Sequence, residues 1–283
     1  MQSRRLIRLT LTYAILVGWT LVLGFPLYWL VITAFKTGAA ISKGPTYLPF
    51  VDFQPSLQAW EYIFVSNRAD AAVPFMNSLI TAFSSSAVAV FVGSMAGYAL
   101  ARFEFGRSGG ANAITFLFLS QRMFPAAVLI IPFLFMYRDL ELLDTRTGLA
   151  IAYTGFSVPF VVWVMRDFFR SLPVEIEESA LIDGCSRFGV LLWIALPLAA
   201  PGLVAVFVLV MIGAWNEYLF ALVLTFSEAI TIPLFLQIQT QAIRGTEWWN
   251  LAAISLVSVI PVVVAGLLLE RYITRGLTLG AVK

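Results

Sequence analysis

The sequence predicts an all-α, polytopic membrane protein with six transmembrane helices. Three observations carry that prediction. The composition is 60% hydrophobic and only 12% charged, with a mean hydropathy of +0.89, whereas a soluble domain carries about 25% charged residues. Apolar windows long enough for a bilayer, which needs about 20 residues per helix, recur along the 283 residues. Arginine and lysine are also shared unevenly among the segments between those windows, the asymmetry that orients membrane proteins.

The first window, Leu9–Phe35, follows Met1–Arg8 with its Arg4, Arg5 and Arg8. It begins as a signal peptide does, but its uncharged run is far longer than a cleavable core and no small-residue cleavage pattern follows. It is therefore expected to stay as the first transmembrane helix. Ala71–Ala101 is the second uncharged window. The third, Ala111–Met136, carries one charge, Arg122, about midway. Thr147–Met165, Phe188–Asn216 and Trp248–Leu269 complete the set. The spans are placed at roughly 11–33, 75–101, 112–136, 147–167, 200–223 and 249–270, in one transmembrane domain over 1–283 with a connecting loop at 172–197. No internal repeat or low-complexity segment stands out.

With the N-terminus inside, the inner segments hold Arg4, Arg5, Arg8, Arg102, Arg107, Arg166, Arg170, Arg187, Arg271, Arg275 and Lys283. The outer segments are longer in total, yet hold only Lys36, Lys43, Arg68, Arg138, Arg146 and Arg244. The bias places both termini and the 172–197 loop in the cytoplasm. Trp60, Tyr62, Trp248 and Trp249 then fall in outer loops, where interfacial anchoring explains them better than a surface for a delivery protein.

The loop is the most informative stretch. Pro173 suits the first turn of a helix, with Ser171 or a neighbour as cap. Glu175, Glu177 and Glu178 sit near its positive end, and Gly184 can end it in a left-handed conformation. The expectation is a short helix over Val174–Asp183, then a second over roughly Arg187–Leu196 before Pro197, with Pro201 and Gly202 opening the next span. An acidic helix between spans is by itself an ordinary solvated connector.

Its spacing says more. Glu178, Ser179, Ala180, Gly184, Ile194, Leu196 and Pro197 give E-S-A-x3-G-x9-I-x-L-P. This resembles the EAA loop of inner-membrane permeases of binding-protein-dependent ABC importers, with Ser179 in place of the usual first alanine. The resemblance extends to about residues 10–283. Asn77-Ser78 with Gly97-Tyr98-Ala99-Leu100-Ala101-Arg102-Phe103 is similar to the N-S…A-Y-A-L-A-R-F of sugar permeases, Gly97 standing where many have alanine. Met123-Phe124-Pro125, Ile131-Pro132, Trp215-Asn216-Glu217 and the terminal Gly280-Ala281-Val282-Lys283 add to it. Together they resemble the second permease of maltose-type carbohydrate importers, which implies a type I ABC importer permease fold.

The resemblance implies further that Glu178, Ser179, Ala180 and Gly184 couple the chain to an ATPase. The glutamate would pair with a basic residue of that subunit, and the glycine would permit the turn and close approach. The implied partners are a second homologous permease subunit, two ATP-binding subunits and a periplasmic or lipid-anchored solute-binding protein, with the lipid bilayer as solvent. The tail 275–283 would reach the ATPase dimer interface. No cofactor is expected in this chain, since ATP and Mg would be bound by the partner ATPase. The chain has no G-x4-G-K-[ST] phosphate loop and only three lysines.

Other chemistries find little support. There is no histidine, the commonest general base and metal ligand, so Gly155-Phe156-Ser157 cannot serve a Ser-His dyad, and neither catalytic nor metal residues are expected. Asp residues do not pair at matching depths in two spans, and Cys185, the single cysteine, cannot form an internal disulfide. A net charge of +2 without a basic stripe argues against a nucleic-acid partner. A stand-alone secondary transporter or channel is the alternative, though such carriers often show inverted repeats.

Ionisable groups within spans are usually functional. Arg122 and Glu217, with Asn216, are therefore the candidates for the translocation path or gate: Arg122 facing the bundle interior, Asn216 and Glu217 toward the outer end of the fifth span. An interhelical structural pair is the plainer account of such charges. A sugar needs no charge to be carried, so an arginine in the path would hint at an acidic or sulfonated sugar. Ser84, Ser85 and Ser86 fit close helix packing better than the path.

Overall fold

The computed structural model describes residues 2–66, 68–106, 109–241 and 246–280, with side chains described except at 2–7, 68–69 and 271–280. The side chains of Arg4, Arg5, Arg68, Arg271 and Arg275, residues Arg107 and Arg244, and the Ala281–Lys283 end of the tail therefore lie outside the described residues. What is described is helix and loop without a β-strand; a lone bridge joins Pro49 and Phe53.

Four single helices are long and apolar enough to cross a membrane: Arg8–Thr33, Asp70–Arg102, Arg146–Ser171 and Trp248–Glu270. Among the described residues two bent pairs of helices are also apolar enough, which gives six spans if each pair is counted as one. The third span, expected as one helix over 112–136, is instead Gly110–Gln121 followed by Ala126–Asp139, at 84° to each other. Pro125 is the cause. It stands as N-cap of the second half, with ψ 132°, because its ring disfavours helical backbone at the residue before it and it has no N–H to donate. Arg122 thus sits at a break, as C-cap of the first half, and not in mid-helix. The fifth span is also bent. Arg187–Leu198 turns by 76° into Ala200–Trp215, with Pro201 tolerated in the first turn. The 200–223 placement is interrupted again after Trp215, and a short helix resumes at Leu219–Leu224.

The chain forms two compact units, 1–72 with 236–260, and 73–235 with 261–283. In the first, the long helix Gln2–Thr33 presents most of its described apolar side chains outward, as a helix solvated by lipid does. Beyond its end, Lys36 is buried, donates to Thr46 O at 2.6 Å and lies 4.5 Å from the Trp29 ring. Trp249 packs so closely on Gly38 that a Cβ there would come within 2.7 Å of its ring. That makes Trp249 a packing residue, while Trp248 is exposed.

The second unit holds two apolar clusters. One gathers Tyr137, Leu149, Tyr153, Trp215 and Phe220; the other gathers Tyr98, Val161, Met165, Phe169 and Val206. The second and fourth spans meet at Gly93 and Gly97, a small-xxx-small step that lets backbones approach. A Cβ at Gly97 would be 2.9 Å from Arg166 N and 3.1 Å from Val162 O. Ser85 and Ser86 are fully buried and bond carbonyls of their own helix, so they serve packing.

Polar side chains tie the loops at one end of this unit. Asn77 is fully buried, donates to Glu228 O at 2.8 Å and Ile230 O at 2.9 Å, and accepts from Arg146 Nε at 2.6 Å. Ser78 Oγ accepts from Ile232 N at 2.8 Å. Asp144, with φ +53°, accepts backbone N–H groups of Phe226, Ser227, Glu228 and Ala229 at 3.0–3.2 Å. Burial works to raise its carboxyl pKa, but the donors of Glu228, Phe226, Ala229 and Ser227 outweigh it and hold the group well below the usual carboxylate range.

Candidate coupling helix and translocation cavity

The loop expected at 172–197 contains a helix over Val174–Ile182. Its start differs from expectation: Pro173 is the N-cap itself, without a side-chain cap, and Ser171 Oγ bonds back to Phe168 O. Its end is a complete Schellman turn. Gly184 has φ +88°, its N–H bonds Leu181 O at 3.1 Å, and Cys185 N–H bonds Ala180 O at 2.9 Å. Ser186 caps the next helix by accepting from Gly189 N at 3.1 Å, and that helix runs through a π-turn at Leu191–Ala195 to Leu198. Cys185 packs against Gly189.

The acidic residues of the helix divide sharply. Glu178 is exposed, as are Glu175 and Ser179, whose hydroxyl bonds Glu175 O at 2.8 Å. Ala180 is half-buried and Gly184 open. Ile182, 86% exposed, extends the same outer surface with Ile176. Acid and apolar side chains presented together on a short helix closed at its C-terminal end are suited to a partner's groove.

Glu177 faces the other way. Its Oε1 accepts from Arg102 Nε at 3.0 Å and a terminal guanidinium nitrogen at 2.8 Å, and its Oε2 accepts from Tyr98 OH at 2.9 Å. The pair retains only 10% and 7% side-chain exposure. Arg102 also donates to Leu172 O at 3.2 Å. Three residues absent from the expected site therefore bolt the helix to the end of the second span. The one signal for them was the Tyr98–Arg102 spacing of four, which puts both on one helical face; nothing local to Glu177 marks its partner.

A cavity of about 490 Å³ opens deeper in the unit. Arg122 and Glu217 both line it, with Tyr153, Phe156, Phe160 and Phe220 as aromatic walls and Ser157 among its polar groups. Glu217 caps the resumed helix of the fifth span, accepting from Leu219 N at 2.8 Å and Phe220 N at 3.0 Å, which is why that span re-forms there. Asn216 is not in the lining; its amide turns back to Ile212 O at 2.8 Å. Arg122 lies 5.2 Å from the Phe160 ring centre. Tyr153 is 2% exposed and its hydroxyl lies beside the Glu217 carboxylate.

Residues 89–278 match the family of binding-protein-dependent transport system inner membrane components. The chain is 36% identical over 264 residues to the inner membrane ABC transporter permease protein YcjP of Escherichia coli, covering 92% of this chain and 91% of that protein. It is 33% identical over 264 residues to the trehalose/maltose transport system permease protein MalG of Thermococcus litoralis, covering 92% and 91%. Its fold is similar to that of a chain in the crystal structure of a bacterial ABC transporter involved in the import of the acidic polysaccharide alginate, with a TM-score of 0.77, 25% identity, and 96% and 98% of the two chains covered. The helical architecture, the bent spans and these similarities together establish a type I ABC importer permease fold, and the chain belongs to the family of inner membrane components of binding-protein-dependent transport systems.

Proposed function

We propose that the chain is the permease subunit of an ATP-driven importer for a sugar or sugar-like solute, such as an oligosaccharide, a polyol or a sugar derivative. A solute-binding protein delivers the solute, and this chain with a second homologous permease passes it inward by alternating access. Two separate ATP-binding subunits supply the energy, and ATP and Mg bind there. The observation that carries the reading is the division of labour in Val174–Ile182: Glu177 locks the helix to the second span while Glu178 stays free for an outside partner. A helix so clamped transmits displacement to the bundle rather than absorbing it. The carbohydrate names of the relatives, among them trehalose/maltose and alginate, support the substrate class. The arginine bias among the loops supports cytoplasmic termini and a cytoplasmic coupling helix.

The test is a pull-down of the detergent-solubilised complex with tagged wild type or Glu178→Arg, followed by identification of the co-purified proteins. The expected result is an ATPase and a second permease with the wild type, and a weakened or lost ATPase with the variant. A wild-type chain that emerges alone would refute the coupling assignment and leave a solitary carrier.

A further inference from the structure

We infer that the cavity beneath Arg122 selects a carbohydrate bearing an anionic group, a carboxylate or a sulfonate, with Arg122 as its counter-ion. The inference rests on the import reading above and names its substrate class more narrowly.

The argument is one of charge balance. A guanidinium at membrane depth is costly unless paired, and it offers five N–H donors in a fork that fits a planar anion two-fold. Among the described residues Arg122, which is exposed where it lines the cavity, has no ion pair; its guanidinium lies 5.2 Å from the Phe160 ring centre. Glu217 is the one carboxylate on the cavity wall. It is already committed, with its oxygens 2.8–3.4 Å from the N–H groups of Leu219, Phe220 and Ala221, and it makes no ion pair with Arg122. Fixed backbone donors therefore neutralise the cavity's negative group and leave its positive one unbalanced.

The remaining wall suits a sugar. Tyr153, Phe156, Phe160 and Phe220 supply rings for the apolar face of a pyranose. Ser157, and the buried Tyr153 hydroxyl beside Glu217, offer hydrogen bonds to its hydroxyls. The cavity volume, about 490 Å³, lies within the roughly 300–1,000 Å³ of small-molecule sites. A neutral sugar would leave Arg122 with hydroxyl acceptors only, while an anionic one forms charge-assisted bonds about twice as strong.

The experiment uses the whole importer in proteoliposomes: this chain, its second permease, the ATPase and the binding protein. The external solution holds a matched mixture of neutral di- to tetrasaccharides, their uronate counterparts and a sulfonated hexose glycoside. Mass spectrometry of the lumen reads which are carried. Wild type is expected to accumulate the acidic members in excess over the neutral ones, the uronate and sulfonate arms showing which anion is preferred. Arg122→Gln should lose that excess by about 10- to 100-fold, the worth of a hydrogen bond to a charged group, and Arg122→Lys should keep part of it. The same binding protein feeds every variant, so the change reports on the cavity. Equal uptake of neutral and acidic sugars by wild type, or acidic uptake unchanged in Arg122→Gln, overturns the inference. If Arg122→Gln fails to co-purify with its partners, the wild-type preference and the Arg122→Lys result decide alone. Accumulation of no glycan at all, with ATP hydrolysis unresponsive to the loaded binding protein, refutes the import reading itself; no glycan uptake with hydrolysis still responsive overturns the inference alone.

Discussion

The Arg102–Glu177 clamp yields the sharpest prediction. Replacing Glu177 by Gln keeps shape and volume but leaves the Arg102 guanidinium, 10% exposed, without its counter-charge. Breaking a buried pair from one side costs about 3–5 kcal/mol. Replacing both partners by apolar residues, as in Arg102→Met with Glu177→Leu, removes the stranded charge and should cost close to nothing by comparison. Tyr98 loses its acceptor in the double variant, which adds about 1 kcal/mol. At about 2–4 °C per kcal/mol for chains of 150–250 residues, the single variant should unfold some 6–20 °C lower in detergent. The double should recover most of that loss, so the two changes are strongly non-additive. Function separates further. With the helix tethered only by its apolar contacts, solute moved per ATP hydrolysed should fall in both variants, whatever their thermal stability. A drop below about 1 kcal/mol for Glu177→Gln, or a double variant that costs the sum of Arg102→Met alone and Glu177→Leu alone, would refute the clamp as an energetic unit.

Further expectations follow from other contacts. Gly97→Ala should destabilise by about 1–3 kcal/mol, because the new Cβ meets backbone of the fourth span at 2.9 and 3.1 Å; an unchanged thermal midpoint would mean that the two spans separate cheaply. Gly184→Val should cost about 1–2 kcal/mol through its left-handed φ alone, and far more in coupled uptake, the position being open to a partner; wild-type uptake would contradict this. Asp144→Asn should cost about 1–3 kcal/mol at neutral pH, since an amide oxygen replaces a carboxylate that serves four backbone donors. Its carboxyl is held below the usual range, so its contribution is complete above the unfolded value of about 3.9 and fades as pH falls below it. The thermal midpoints of wild type and Asp144→Asn should stay apart from pH 7 to 5 and converge only in stronger acid; convergence near neutrality would count against the assignment.

Much of this protein follows from local sequence. Length, polarity and loop charge determine that it crosses a membrane as helices, because unpaired backbone groups cannot face lipid. The short helix Val174–Ile182 was legible from Pro173, three early acids and Gly184, features that act within one or two turns. Other decisions belong to the tertiary structure. The third span breaks at Pro125, although its hydropathy reads straight through, since hydropathy measures transfer into lipid and not backbone continuity. Other spans keep Pro26, Pro74 and Pro159 inside unbroken helices, so a proline in a span does not by itself announce a bend. That break carries Arg122 to a cavity wall shared with Glu217, while Asn216, one residue away, turns back to its own helix. Glu177 and Glu178 are alike in type and adjacent in sequence, yet one is buried on Arg102 and the other open. Successive helical residues point about 100° apart, and which of the two meets the bundle depends on a guanidinium 75 residues earlier. Periodicity and capping act along the chain and can be read there; burial of a charge requires a partner from elsewhere in the chain, and only the folded arrangement supplies it.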